Sequence, residues 1–238
     1  MKNVVIVLTG TVTPNVDFVE RNSVEDRLND YEKCIDFYLS NTSHTIVFAE
    51  NSGFDPSRSE KMFGFLKNDR FRWESITPHP DFSKGKGFQE FYTLDQLADK
   101  GLLGEYFVKV TGRYLVRNVE SLIRKMKVPF HIDNHQKMKV SITGFFGIST
   151  KFYREFFYGL YTEVNDSHGR FIEHAVYDTI HSKNLYQYQQ LLPENPQYEG
   201  VSGSHGNSMK RNPYKMKVRA VERRLNRILG IRKFLIEY

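Results

Sequence analysis

Three short segments carry residue types suited to meeting negative charge. Gly85-Lys86-Gly87 sets an ammonium between two glycines, and glycines let backbone N–H groups approach a phosphate while the lysine answers its charge. A helix pattern follows from Phe88, and helix N-termini favour anions. Lys109-Val110-Thr111-Gly112-Arg113-Tyr114 puts a lysine inside an apolar run and an arginine just past its end. A buried cation there needs an anionic partner, either a neighbouring carboxylate or a ligand phosphate. Gly203-Ser204-His205-Gly206, trailed by Lys210, is a second Gly/Ser loop able to close over a diphosphate. Each segment also has a plainer reading: a solvated loop, an internal ion pair and a linker.

A general base must be a carboxylate held near the reacting hydroxyl. Glu173 stands among Phe171, Ile172, Ala175 and Val176 at the start of an apolar helix pattern, where partial burial raises basicity. Its plainer reading is a first-turn acid on the helix dipole. Asp166, in Asn165-Asp166-Ser167-His168-Gly169, is the second candidate and equally a turn former. The single cysteine, Cys34, excludes an intramolecular disulfide framework and a cysteine zinc site. Sharing a helical stripe with Tyr31, Ile35 and Tyr38, it reads as a buried structural thiol.

The elements that must hold these residues are legible as a pattern. Val4 to Leu8 is an unbroken β-rich run closed by Thr9-Gly10-Thr11, and a helix pattern capped by Ser23 carries Leu28, Tyr31, Ile35 and Leu39. His44–Glu50 and Arg70–Ile76 read as strands around a helix at Ser57–Leu66. Such alternation builds a parallel sheet by right-handed crossovers. Beyond it the pattern predicts helices at Phe88–Leu103, Asn118–Met126 and Phe171–His181, and strands at Tyr106–Thr111, Pro129–Asp133 and Val140–Ile148. Loop is predicted from Leu192 to Pro213. Ligands of open parallel sheets bind beyond the carboxyl ends of the strands, which adds Thr9 and Glu50 to the candidates. No P-loop occurs and no Gly-x-Gly-x-x-Gly follows the first strand, so ATPase and dinucleotide readings lose their motif.

Charge divides the chain. Of 238 residues, 34 are Lys or Arg and 28 Asp or Glu, a net +6. Residues 210–238 hold ten basic and two acidic residues, a local +8, which leaves −2 on everything before them. That split argues against a nucleic-acid groove across the whole fold. On a helix, Val218, Val221, Leu225, Ile228 and Leu229 form one stripe, with Arg219, Arg223, Arg224 and Arg227 opposite. Basic amphipathic helices adsorb to anionic membranes at about 1 kcal/mol per Lys or Arg. Docking to a partner, binding RNA and capping the core are the alternatives. No stretch approaches the roughly 20 apolar residues that cross a bilayer, so the expected location is cytoplasmic, peripheral at the inner face of the cell membrane.

The order of segments resembles that of small bacterial glycosyltransferases with the GT-A-type nucleotide-sugar fold, the kind that build capsule, lipopolysaccharide and other surface glycans. It runs through Thr9, Glu50-Asn51, Gly85-Lys86-Gly87, Lys109 with Gly112-Arg113-Tyr114, Phe145-Phe146-Gly147, Ile172-Glu173-His174 and Gly203-Ser204-x-Gly206. The likeness is one of motif order over about residues 3–210. It implies an α/β, Rossmann-like mixed sheet flanked by helices in a catalytic domain at residues 1–213, with the basic helix at 214–238. Thr9, Glu50 and Lys86 would line the nucleotide pocket, Gly112, Arg113 and Tyr114 would lie by the diphosphate and sugar, and Glu173 would face the acceptor. Gly87, Lys109, Ser204, His205 and Lys210 complete the expected donor contacts.

One departure from that family concerns metal. Many such enzymes hold Mn²⁺ or Mg²⁺ with Asp-x-Asp at the end of the fourth strand, where this chain has Gly112-Arg113-Tyr114. The expectation is metal independence, with Lys86, Arg113 and Lys210 stabilising the leaving diphosphate. The alternative is Mg²⁺ or Mn²⁺ on Asp133 with His135 or His205. The expected function is transfer of a sugar from a nucleotide donor to a glycan or lipid-linked glycan, with no nucleic acid as partner. A sugar nucleotidyltransferase is the alternative enzyme, although Thr9-Gly10-Thr11-Val12-Thr13 lacks the Gly-x-Gly-x-Arg loop of that class. A non-catalytic partner- or nucleic-acid-binding module acting through the tail is the alternative from another class.

Overall fold

The computed structural model describes residues 3–14, 23–200 and 213–228. Along β1 (Val4–Gly10) successive side chains point to opposite faces of the sheet, and both are apolar: Val5 and Val7 on one, Ile6 and Leu8 on the other. A strand with that composition belongs between two helical layers. It pairs in parallel with β2 (Thr45–Glu50) on one side and β4 (Tyr106–Thr111) on the other, while β3 (Phe71–Ser75) continues the sheet outside β2.

Helix α1 (Val24–Asn41) starts at Ser23, whose hydroxyl accepts the Asp26 N–H, and buries Tyr31, Cys34, Ile35 and Tyr38 against the Ile6/Leu8 face. Between β2 and β3 the chain makes a 3₁₀ turn at Pro56–Arg58 and the short α2 (Glu60–Phe65), divided at Ser59, which caps the second piece. Helix α3 (Lys86–Asp99) covers the Val5/Val7 face with Phe91, Leu94 and Leu97. It begins and ends earlier than the apolar pattern indicates, because Gly85 (φ +94°) starts it and Gly101 (φ +68°) ends it with the Leu102 N–H bonding back to Leu97 O.

After β4 come β5 (Tyr114–Val116), α4 (Val119–Lys125), β6 (Phe130–His131), β7 (Asn134–His135), β8 (Val140–Ser141), β9 (Phe145–Ser149), α5 (Thr150–Phe156) and α6 (Ile172–Ser182). The predicted strand Val140–Ile148 is thus two strands. The first, β8, pairs with β7 in a separate two-stranded sheet, the second joins the main sheet, and between them Thr143 turns toward β4 and α6. Strand β9 runs antiparallel between β4 and β6, which in turn pairs with β10 (Gln189–Gln190). The seven-stranded sheet has the order β10-β6-β9-β4-β1-β2-β3 and is mixed, flanked by helices on both faces, as expected.

The stretch predicted as loop after Leu192 contains β11 (Tyr198–Gly200), antiparallel to β5, and the chain then reaches α7 (Pro213–Ile228). Among the described residues no helix is long and apolar enough to cross a membrane.

Candidate functional site

Two groups of side chains meet at the carboxyl ends of β1 and β4. The first is a hydrogen-bonded chain crossing four elements. Thr9 Oγ1 donates to Glu90 Oε1 at 2.6 Å, and the same oxygen lies 2.6 Å from Lys109 Nζ. Lys109, fully buried, also donates to Thr111 Oγ1 (3.2 Å) and to the Thr143 carbonyl (3.0 Å). Thr143 Oγ1 then donates to Glu173 Oε1 at 2.7 Å. Of the two partners foreseen for Lys109, the structure supplies the carboxylate. Its charge is answered by Glu90, so it supports the site instead of meeting a ligand.

The second group is cationic. Arg113 follows Gly112, whose N–H bonds to Thr9 O at 2.9 Å and whose missing side chain permits that approach, since a Cβ there would overlap the Thr9 carbonyl. Arg27 lies on the buried face of α1, its Nε donating to Thr11 O (2.6 Å) and its Nη2 to Tyr31 Oη (2.9 Å). The guanidinium carbons of Arg27 and Arg113 stand 5.8 Å and 5.9 Å from the Tyr31 ring centroid. Burial, followed by the charges of Arg113 and Arg27, pushes the Lys86 ammonium below its ordinary range. Burial, with Arg113 adding to it, does the same to Arg27. Arg113 Nε and Nη1 are buried and make no hydrogen bond to any described residue. A half-buried guanidinium with two enclosed donors unused, crowded by two further cations, is suited to meeting an anion.

Lys86 joins this cluster through its side chain only. The backbone N–H groups of Lys86 and Gly87 are accepted by the Asp166 carboxylate, so the expectation that these amides cradle a phosphate gives way to an internal cap. Burial raises the Asp166 pKa, and its Oδ1 is enclosed without a hydrogen-bond partner among the described residues. Gly87 has a packing role besides, because a Cβ there would collide with Ile172 Cγ2 of α6.

Glu50 turns away from the cluster. Fully buried, it accepts the Val12, Ser52 and Phe54 N–H groups and the Ser52 hydroxyl, and so shapes the loops after β1 and β2. Tyr114 packs edge-on to Tyr198, and its carbonyl accepts from Tyr38 Oη at 2.8 Å. Trp73, partly buried, packs on Phe48 at 4.9 Å against the core. Cys34 is buried beneath the cluster, with its thiol pKa pushed far up by burial. Ser204, His205 and Lys210 lie outside the described residues.

Asp133, the alternative metal ligand, has both oxygens on Arg223 of α7, one at 2.7 Å, and Oδ1 also accepts the Leu192 N–H. His131 is equally engaged, Nε2 accepting the Lys127 N–H at 3.1 Å and Nδ1 facing Leu191 O. No group of three or more His, Cys, Asp or Glu able to hold a metal ion occurs among the described residues.

Three members of the site escaped the sequence reading. Arg27 carried a signal, a cation one turn before Tyr31 on the apolar stripe of α1. Glu90, four residues after Lys86 on α3, carried one only if its long-range partner Lys109 was known. Thr143 lay hidden in a run that reads as continuous strand.

The class that these observations define is an α/β protein with a mixed sheet flanked by helices and a cationic cluster at the carboxyl ends of its strands, the place where open sheets carry their ligands. No protein-family model and no curated protein matches the chain. Among solved structures it is similar to a protein from Desulfovibrio desulfuricans G20 described as a nucleotide-diphospho-sugar transferase (10% identity, 80% of each chain, TM-score 0.49). It is similar also to the inositol-1-phosphate CTP transferase of T. maritima (13% identity, 91% of this chain and 94% of that one, TM-score 0.47). A third is the glycosyltransferase GlyE of Streptococcus pneumoniae TIGR4 in its apo form (7% identity, 65% of this chain and 35% of that one, TM-score 0.40).

Proposed function

We propose that the protein is a nucleotide-sugar-dependent glycosyltransferase in which Arg113, Arg27 and Lys86 bind the donor diphosphate. The observation that carries this reading is Arg113, with two buried donors unused and two cations beside it. Transfer breaks the bond between the anomeric carbon and the diphosphate oxygen, and the electron pair departs with the diphosphate. Fixed cations aimed at that developing charge lower the barrier. The donor set does not suit a divalent ion: Gly112-Arg113-Tyr114 stands where acidic ligands would be, and Asp133 is committed to Arg223. The reaction is accordingly read as metal-independent.

The acceptor hydroxyl gives its proton to a carboxylate as its oxygen bonds to the anomeric carbon. Glu173 suits this better than Asp166. It is partly open to solvent and held by Thr143, whereas the free oxygen of Asp166 is enclosed. The acceptor is read as a glycan, carried on a lipid in surface-polysaccharide assembly at the inner face of the cell membrane.

Product analysis tests the reading. Incubation with UDP-, GDP- and dTDP-sugars and a glycan acceptor should release nucleoside diphosphate, and Glu173→Gln should abolish turnover while leaving donor affinity intact. Release of pyrophosphate from a nucleoside triphosphate and a sugar phosphate would mark nucleotidyl transfer instead. Full turnover by Glu173→Gln would remove that residue as the base.

A further inference from the structure

Helix α7 is fastened to the body by its polar side. Arg223 Nη1 donates to Asp133 Oδ1 (2.7 Å) and Leu192 O (2.8 Å), and Nη2 pairs with Asp133 Oδ2. Arg223 Nε donates to Asn195 Oδ1 (2.5 Å), and Asn195 Nδ2 reaches Met216 O (2.8 Å). Glu222 and Arg223 are buried, while Val221 and Leu225 are 59% and 51% exposed. Lys217, Ala220 and Arg224 are exposed on the same side. Arg227, Ile228 and Leu229, part of the pattern read from sequence, lie outside the described side chains.

A helix that serves only to cap a core turns its apolar residues inward. Here the orientation is reversed, and a buried ion pair, weak evidence for stability in itself, fixes it. We propose that α7 presents Val221 and Leu225 to an anionic lipid surface, with Lys217 and Arg224 meeting the headgroup phosphates. Charge selects this occupant: the outward face carries two cations and no carboxylate among its described residues, within a segment of net +8. The inference deepens the lipid-linked acceptor of the proposed function. From Asn195 the chain runs into β11, whose partner β5 begins immediately after Arg113, so one two-stranded unit joins the docking helix to the cationic cluster.

The test is sedimentation of the full chain with vesicles of phosphatidylcholine alone or mixed with phosphatidylglycerol, alongside nucleotide-induced thermal shift. The protein should sediment with the anionic vesicles, less so as salt rises. The Lys217→Ser/Arg224→Ser variant should lower partitioning about 30-fold, from about 1 kcal/mol per cation. The Val221→Ser/Leu225→Ser variant should lower it at least about tenfold. Both variants should keep the wild-type nucleotide shift, which shows that they fold. Absence of binding to anionic vesicles, equal binding to neutral ones, or variants that bind like wild type would overturn the proposal. So would a wild-type dimer that Val221→Ser/Leu225→Ser dissociates, since that face would then belong to a second copy. Vesicle binding without any nucleotide shift in the wild type would sink the transferase reading and leave this one standing.

Discussion

Asp166 caps the helix that Lys86 begins: its carboxylate accepts the Lys86 backbone N–H, and that of Gly87, so the first turn of α3 already holds an anion. A donor phosphate therefore meets side chains in this site, those of Arg113, Arg27 and Lys86, and the glycine beside Lys86 has a conformational task. Gly85 adopts φ +94° and ψ −173°, a region open to glycine alone, and a Cβ there would overlap Asp166 Oδ2.

Gly85→Ala should accordingly lower the unfolding free energy by about 3 kcal/mol, and Asp166→Ala by about 1 kcal/mol through loss of the cap. The double variant should lose less than the sum, because removing Asp166 removes the collision. Strict additivity in urea titrations would show that the two residues do not meet.

Asp95 gives the fold a dependence on pH. Burial raises its pKa to about 6, against hydrogen bonds from Tyr153 Oη (2.6 Å) and the Gly159 N–H (2.8 Å) that hold it down in part. A carboxyl group with a folded pKa above its unfolded one contributes stability that is complete below the unfolded value and lost as pH rises through the folded one. Two pH units correspond to about 3 kcal/mol, lost between about pH 4 and pH 7. In Asp95→Asn the amide can donate to Tyr153 and still accept from Gly159, so its melting temperature should vary less over that range. Parallel pH curves for the two proteins would refute this.

The Arg223–Asp133 pair separates breaking from replacing. Arg223→Ala strands a buried carboxylate and should cost about 3–5 kcal/mol, whereas Asp133→Leu/Arg223→Met should fall close to wild type. Chemical denaturation of both variants decides it, and equal losses would mean that the pair contributes packing alone.

Arg113 should be held at some cost to the unliganded protein, since its charge opposes those of Arg27 and Lys86. Arg113→Gln should therefore raise stability without ligand, by on the order of 1 kcal/mol. A clear loss of melting temperature would mean that its guanidinium has a structural partner.

Much of this was legible in the sequence where a signal is local. The apolar run before Thr9, the cap at Ser23 and the alternation around Glu50 specify β1, α1 and β2 because side-chain period and capping chemistry act over a few residues. Lys109 and Arg113 declared themselves as cations in places that demand a partner. Which partner they take depends on contacts of long sequence separation, and so Glu90 and Thr143 stayed invisible. Glu50 misled for a related reason: a carboxylate at a strand end looks the same in sequence whether it faces a ligand or ties down loops. On α7 the amphipathic pattern was plain, but the face turned to the body was set by Asp133 and Asn195, far away in the chain.

The proposal for the site is that a cluster of three cations, Arg113 foremost, binds a nucleoside diphosphate group without metal. It is tested most directly by thermal shift of the wild type and Arg113→Ala with UDP-, GDP-, dTDP- and CMP-sugars, each in EDTA and in Mn²⁺. At least one diphosphate donor should raise the wild-type melting temperature equally in both conditions. Its affinity should fall about 10- to 100-fold in Arg113→Ala, in line with loss of a charged hydrogen bond. No shift with any nucleotide, a shift only in Mn²⁺, or undiminished affinity in Arg113→Ala would contradict it.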